Sequence, residues 1–311
     1  MTTFPIVTDG EVYDAYDYAG VVDAMYRAFE EHAAGTLEAP ARWSVDAGEG
    51  ALVFTAGAAT GPVNAFGFRV YETFPGADSS AENTQLVAVY DGSTGALEGL
   101  FVGHAIGLLR TGGIGGVAVD CLAREDARTL GVLGSGPQAR SQVGAACAVR
   151  DFDRVTVYSP TEANRESFAE TVSGEVEPPV EALEDPEPVV SGADVLICAT
   201  NSETPVFDLE WLSPGTHVNS LGPKFADGCE LPPDLFDRAD AVATDSLAQV
   251  DGYARKFVAD GENRERMVDL ADVLADSAPG RASADAVTLF CSVGLAGTEV
   301  VLGEHLLETV A

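Results

Sequence analysis

The run "GVLGSGPQAR" places Gly134, Ser135, Gly136, Pro137, Gln138 and Ala139 directly after an apolar stretch and directly before a helix-forming one. That spacing is G-x-G-x-x-A, the dinucleotide fingerprint with alanine in the third small position. Its chemistry is phosphate capture. The first glycine permits a tight turn, the second lets backbone approach a pyrophosphate, and the helix beginning there offers free N–H groups and a partial positive charge. Alternatively the segment is a tight strand–helix turn with no ligand. One strand later, where an acidic side chain would bond the adenosine ribose, stand Tyr158, Ser159, Pro160 and Thr161. With no carboxylate to repel a 2′-phosphate, the expected cofactor is NAD(P)(H) with NADP slightly favoured. No arginine occupies that loop, and Arg165 lies a turn further on.

The elements that must hold this loop follow from the pattern around it. "RTLGVLG", "RVTVYS", "ADVLICAT", "THVNSLG" and "ADAVATD" are strand-like, and the helical runs "PQARSQVGAACAVR" and "EANRESFAETV" alternate with the first of them, which predicts a parallel doubly wound sheet. Before it, residues 11 to 34 have the apolar spacing of one amphipathic helix. "ALVFTAG", "NAFGFRVYETF", "TQLVAVYD" and "ALEGLFVG" follow as short strands of a mostly antiparallel sheet, and "LLRTGGIGGVAVDCLA" as a small-residue helix. "EVEPPVEALEDPEPVV" has the composition of a surface loop. The closing "DAVTLFCSVGLAGTEVVLGEHLLETVA" is a strand and a helix able to return to the first domain.

Seventeen basic against fifty acidic residues give a formal net charge of -33. Such a field repels nucleic-acid phosphates and anionic membranes, so neither is an expected partner. Only Lys224 and Lys256 are lysines, while apolar content stays ordinary at 46%. Together these point to a folded protein adapted to concentrated salt, where a Debye length of about 3 Å mutes the repulsion. Cysteines 121, 147, 198, 229 and 291 are odd in number and widely spaced, and are expected to be buried thiols without metal or disulfide roles. The first residues lack a basic n-region and an apolar h-region, and no apolar run is expected to span a membrane, so a soluble, cytoplasmic protein is expected.

Several stretches, in order and over nearly the whole chain, resemble the ornithine cyclodeaminase/mu-crystallin family. They are "PARW" (40 to 43), "GFRVYETFPG" (67 to 76), "LLRTGG" (108 to 113), "GVLGSGPQA" (131 to 139), "ADVLICATNSETPVF" (193 to 207), "GTHVNSLG" (215 to 222) and "SVGLAG" (292 to 297). The resemblance implies an α/β fold in which a Rossmann-type doubly wound parallel sheet is inserted into an α+β substrate-binding and dimerisation domain. That domain would comprise residues 1–115 plus 295–311, with 116–294 binding NAD(P). Members use a bound nicotinamide on small amino or imino acids, and dimerise through the sheet of the α+β domain.

By position, the resemblance puts Arg42, Arg69 and Arg110 on the basic residues that hold the substrate carboxylate. A carboxylate entering a closed site must be paired, and a guanidinium can pair it bidentately. Arg69 stands where relatives generally have lysine, which keeps the charge but gives up a transferable proton. Alternatively each arginine is a surface ion pair. Thr111 matches a cofactor-phosphate contact, with a helix cap as the alternative. Ala199, Thr200 and Asn201 match a loop beside the nicotinamide ribose, and Leu221 ends a further cofactor-lining segment. His104, just before the Arg110 helix, either faces the cleft or is structural.

In cyclodeaminases an aspartate six residues before the glutamate of "EL" serves as acid/base, and counting back from Glu230 gives Lys224. A clear equivalent of the glutamate that relatives use near the side-chain amine is also absent. Both departures argue against ornithine as substrate. Lys224 is then a proton donor to the nitrogen or oxygen that gains electron density on hydride delivery, which needs a pKa lowered by burial or nearby Arg charge. Alternatively it grips a second substrate carboxylate, or is a surface lysine paired with Asp227 or Glu230. The resemblance implies a homodimeric oxidoreductase interconverting a small α-amino acid with its imino or keto acid, with Lys224 and Arg69 as catalytic candidates. The alternatives are an ammonia lyase with catalytic NAD and an NADPH-dependent binding protein of the crystallin kind.

Overall fold

The computed structural model describes residues 4–74 and 84–310. Pro75 and Gly76, at the end of one matched stretch, lie outside the described residues. The chain forms two compact units, Met1–Arg110 with Gly294–Ala311, and Thr111–Val293.

The first unit holds a seven-stranded sheet. Its order is Ile6–Thr8, Leu97–Val102, Leu86–Asp91, Ala65–Glu72, Ala51–Ala59 and Leu37–Glu38, with Trp43–Asp46 also pairing Ala51–Ala59. All pairs are antiparallel except the first. Period-two alternation sends Val53, Thr55 and Ala59 inward and leaves Leu52 exposed. The inner face packs against the closing helix Thr298–Val310. Gly57 permits this approach, because a Cβ there would meet the Gly297 Cα at 2.3 Å. The outer face carries stacked Trp43–Phe54 and Phe66–Tyr90 pairs beside exposed Val45 and Leu52.

The single helix expected over 11 to 34 is two, Asp9–Ala15 and Tyr18–Ala33. The break falls where Asp17 leaves helical geometry and its carboxylate caps Gly20 N–H at 2.7 Å. Asp9 does a second job. Its two carboxylate oxygens accept from His104 N–H (2.9 Å) and Ala105 N–H (2.8 Å), capping the helix Ala105–Leu122 that carries Arg110.

The second unit is an eight-stranded, all-parallel sheet ordered Val180–Ala182, Arg154–Tyr158, Thr129–Leu133, Val195–Cys198, His217–Ser220, Thr288–Cys291, Ala241–Thr244 and Met267–Asp269. Its central strands are buried at every position, as sheets covered on both faces require. Strand order reverses beside Thr129–Leu133, so the glycine run after that strand lies at a topological switch point. The small residues of "RTGGIGG" serve packing here: a Cβ on Gly112 would strike Ser141 Oγ at 2.1 Å, and one on Gly115 the Gln142 amide at 1.9 Å.

Three expectations are corrected. The Pro/Glu-rich segment is not a loop throughout: Val180–Ala182 is an edge strand, and Pro186–Ser191 is a helix with Pro186 in its first turn and Val189 and Val190 fully buried. Proline is a helix starter at that position, and only further in is it a breaker. Helix Ala105–Leu122 is long and apolar enough to cross a membrane by length and composition, although 78% of it is buried within the protein. Cys198 and Cys291 are buried, but Cys121, Cys147 and Cys229 are only half-buried. Desolvation still pushes the Cys121 and Cys147 thiols up to about 12, which keeps them protonated and unreactive at neutral pH.

Because Asp9 satisfies two N–H groups at the start of the Arg110 helix, Asp9→Ala is expected to cost about 1 to 2 kcal/mol of stability. Urea unfolding of the two proteins checks this, and coincident midpoints would remove the cap from the account.

Candidate functional site

In the first unit, the Ala65–Glu72 strand, the segment before Trp43–Asp46, and the helices Ala105–Leu122 and Thr298–Val310 bring Arg69, Arg42, Arg110 and Glu299 together. Arg69 and Arg110 are each 8% exposed, and Glu299 1%. Glu299 Oε1 accepts from Arg69 Nη1 (3.4 Å) and Thr55 Oγ1 (3.3 Å) and forms an ion pair with Arg110 Nη2 at 3.5 Å. Tyr71 joins two arginines: its ring lies 4.3 Å from the Arg69 Cζ, and its hydroxyl accepts from Arg42 Nη1 at 3.4 Å. Gly294 has φ +92°, and a Cβ there would lie 2.9 Å from Arg110 Nη1 and 3.0 Å from Arg42 Nη2. The glycine of "SVGLAG" therefore makes room for two guanidinium groups. These are not surface ion pairs.

The electrostatics are one-sided. Burial pushes the Glu299 carboxyl up, but Arg110, Arg69 and Arg42 outweigh it and hold it below its ordinary value. The Arg69 guanidinium is also held below its ordinary value, by burial first and then by Arg110, with Glu299 and Tyr71 opposing. A guanidinium stays protonated through such a shift. Three positive charges against one carboxylate leave an excess of two. Arg110 Nε is buried with no acceptor among the described residues. An anion with several oxygens fits the charge and the free donor of such a cluster.

In the second unit, Leu133, Gly134, Ser135, Gly136, Tyr158, Ser159, Pro160, Pro186, Ala199, Thr200, Asn201, Ser202 and Val206 line a cleft of about 540 Å³. Gly134 has φ +118° and would set a Cβ 2.2 Å from Ala199 O, so the turn requires glycine. A Cβ on Gly136 would meet nothing within 4 Å, which leaves its backbone open to an approaching pyrophosphate. Pro137 begins the helix Pro137–Val149, Gln138 Oε1 is buried without a partner among the described residues, and Ala139 is fully buried. These features fit a dinucleotide at the switch point. Thr161, expected here, caps the next helix and does not line the cleft. Arg165 folds back onto the loop, donating from Nη1 to Ser159 O at 3.3 Å.

Thr111 and Leu221 do not line the cleft either. Thr111 lies inside Ala105–Leu122, so the helix-cap alternative fails, and its carbonyl accepts from Gln142 Nε2 at 2.7 Å. Leu221 N–H donates to Cys198 O at 2.9 Å, tying together two strand ends. The surface pairing considered for Lys224 does not form: Asp227 binds Arg255, and Lys224 is 4% exposed. Lys224 Nζ donates to Gly222 O (2.6 Å) and Ser220 O (3.3 Å). Glu230 is fully buried, accepting at one oxygen from Ser220 Oγ (2.7 Å) and Gly222 N–H (2.6 Å) and at the other from Thr200 Oγ1 (2.8 Å) and N–H (3.1 Å). It clamps Thr200 of the cleft. His217 offers no proton chemistry at neutral pH, because burial lowers its pKa to about 3.

A parallel doubly wound sheet with a glycine turn at its switch point defines a Rossmann-type dinucleotide-binding fold, and the chain's other unit buries an arginine cluster. More specifically, the chain belongs to the ornithine cyclodeaminase/mu-crystallin family, whose model matches residues 6–310. It is 32% identical over 228 residues to a delta(1)-pyrroline-2-carboxylate reductase of Bacillus cereus, covering 72% of this chain and 70% of the relative. It is 28% identical over 227 residues to the ketimine reductase mu-crystallin of Mus musculus, covering 72% and 68%. The structure of Thermococcus litoralis delta(1)-pyrroline-2-carboxylate reductase in complex with NADH and L-proline matches with a TM-score of 0.87 and 26% identity, covering 98% of this chain and 96% of that one.

Sequence reasoning missed Glu299, Tyr71 and Glu230. For Glu299 a signal existed, a lone carboxylate inside the apolar run "LAGTEVVLG". Glu299→Gln leaves three guanidinium groups without their buried counter-charge and is expected to cost about 3 to 5 kcal/mol at pH 7. The carboxylate's contribution is complete above its ordinary value of 4.5 and is lost as pH falls through its lower folded value. The stability gap between wild type and variant should therefore hold down to that pH and then narrow. Denaturant melts across pH measure it, and equal midpoints at pH 7 would remove Glu299 as the counter-charge.

Proposed function

We propose that the chain is an NAD(P)(H)-dependent oxidoreductase that interconverts a small α-amino acid with its imino or keto acid. The observation that carries this is the buried arginine cluster, which has two charges in excess and an Arg110 Nε lacking an acceptor among the described residues. A bound nicotinamide would supply or accept the hydride. Arg110 and Arg42 hold the substrate carboxylate, and Arg69 adds charge at their side. Gly134, Gly136 and the start of the Pro137–Val149 helix take the pyrophosphate, with Ala199, Thr200 and Asn201 along the cleft. Lys224 Nζ has three N–H bonds and gives two to carbonyls, so one remains to donate a proton to the substrate nitrogen or oxygen. The reductases named among the relatives support this substrate class.

The loop Tyr158–Thr161 has no carboxylate, and Arg165 bonds its backbone, which supports NADPH over NADH. The apolar outer face of the first unit's sheet supports a homodimer joined through it. The net charge of -33 supports work in concentrated salt in the cytoplasm. A lyase would need a carboxylate base, and Lys224 is not one.

In molar KCl, purified protein should oxidise NADPH in the presence of pyrroline-2-carboxylate or of pyruvate with ammonia. Lys224→Ala should lower turnover by about tenfold or more while still binding the dinucleotide. Ammonia release from ornithine without net cofactor turnover would overturn the assignment, and unchanged turnover in the variant would remove Lys224 from the chemistry.

A further inference from the structure

Gln85 and His104 are polar side chains of the first unit with no role so far. Gln85 Oε1 accepts from Arg69 Nε (2.9 Å) and Nη2 (2.6 Å), so the amide oxygen faces the guanidinium. A guanidinium has no acceptor, and turning the amide over would set N–H against N–H. Gln85 Nε2 must therefore donate, and the atom it meets at 3.0 Å is His104 Nδ1. In the neutral ring the proton then sits on Nε2. That Nε2 is buried and meets no acceptor among the described residues.

Two further features hold the arrangement. Gly107 lacks the Cβ that would lie 2.8 Å from Arg69 Nη2 and 3.0 Å from Gln85 Oε1, so both side chains can lie across the helix. Asp9 pins the His104 backbone at 2.9 Å, fixing the residue that bears the ring. A buried N–H that has given up water and gained no acceptor is a standing cost, which an arriving oxygen removes.

We propose that His104 is a ligand-binding residue: its Nε2–H donates to an oxygen of the acid held by the arginine cluster, and Gln85, locked by Arg69, keeps the proton on that nitrogen. This rests on reading the cluster as a carboxylate site. The ligand class is a small 2-oxo or 2-imino acid, whose carboxylate has about four lone-pair sites and can accept a further N–H beside the arginines. Arg69 becomes a positioning residue, because Nε and Nη2 are committed to Gln85 and Nη1 to Glu299.

The test uses pyruvate as probe on the full chain with ¹⁵N-labelled histidine, the His104 signals being assigned by their loss in His104→Gln. The wild type should show the Nε2–H tautomer, with that proton moving downfield on pyruvate addition. Gln85→Glu places a carboxylate beside Nδ1 and should draw a proton there. His104→Phe should weaken pyruvate by about tenfold or more, the worth of one hydrogen bond to a charged acceptor. His104→Gln, which keeps an N–H donor, should recover most of that loss. An Nδ1–H tautomer in the wild type overturns the inference, as does pyruvate affinity lost in Arg110→Ala but unmoved in His104→Phe; the second result leaves the carboxylate site standing. Affinity unmoved in both variants overturns the carboxylate site as well.

Discussion

The buried carboxylate of Glu299 is the interaction on which the first unit's chemistry depends. Two like charges about 4 Å apart repel by about 4 kcal/mol at an effective dielectric near 20, so arginines 42, 69 and 110 cannot share a buried volume on packing alone. Glu299 supplies one counter-charge from the closing helix, and Thr55 fixes that carboxylate with a hydroxyl at 3.3 Å. One carboxylate is enough to fold the cluster and too little to neutralise it. On the proposed function, the remaining positive charge is what receives the substrate carboxylate. In a chain of net charge -33 this is a local reversal of sign. Concentrated salt screens the repulsive field over a few ångströms, whereas contacts inside the buried cluster are screened far less.

A buried carboxylate organises the second unit too, by a different means. Among the described residues Glu230 pairs with no arginine and is satisfied by four donors, two at each oxygen. Those donors come from the segment after Val195–Cys198 and from the end of, and just after, His217–Ser220, which are neighbouring strands. Lys224 closes the same knot by donating to the carbonyls of Ser220 and Gly222. The cleft wall at Thr200 is therefore set by side-chain hydrogen bonds as well as by the sheet, as a site needs if it is to hold its shape while empty.

Much of the fold was legible in the sequence, for identifiable reasons. The glycine spacing after a buried strand and the strand–helix alternation are local patterns, and they placed the parallel sheet and the cleft. Arg42, Arg69 and Arg110 came from the order of matched stretches, and the structure brings them together. Glu299 and Glu230 were not singled out, because what distinguishes them is burial beside partners distant in sequence, arginines 189 or more residues away for Glu299 and Thr200, 30 residues away, for Glu230. The helix at Pro186 was lost because composition was weighed without position: the same proline breaks a helix interior and starts a helix end. Thr161 was placed on the cleft by counting along a loop, and the loop's last residue instead turns outward to begin a helix.

The residues also separate charge recognition from proton supply. An arginine cluster grips a carboxylate at any working pH because its groups do not titrate there, and for the same reason it cannot donate a proton to a reduced carbon–nitrogen bond. His217 is held neutral deep in the second sheet by burial. Of the two lysines, Lys256 is exposed and paired with Asp260 at 2.6 Å. On the proposed function that leaves Lys224, buried and with a third N–H beyond its two carbonyl partners among the described residues, as the proton donor. Those two carbonyls, at and just after the end of the His217–Ser220 strand, fix where its nitrogen sits.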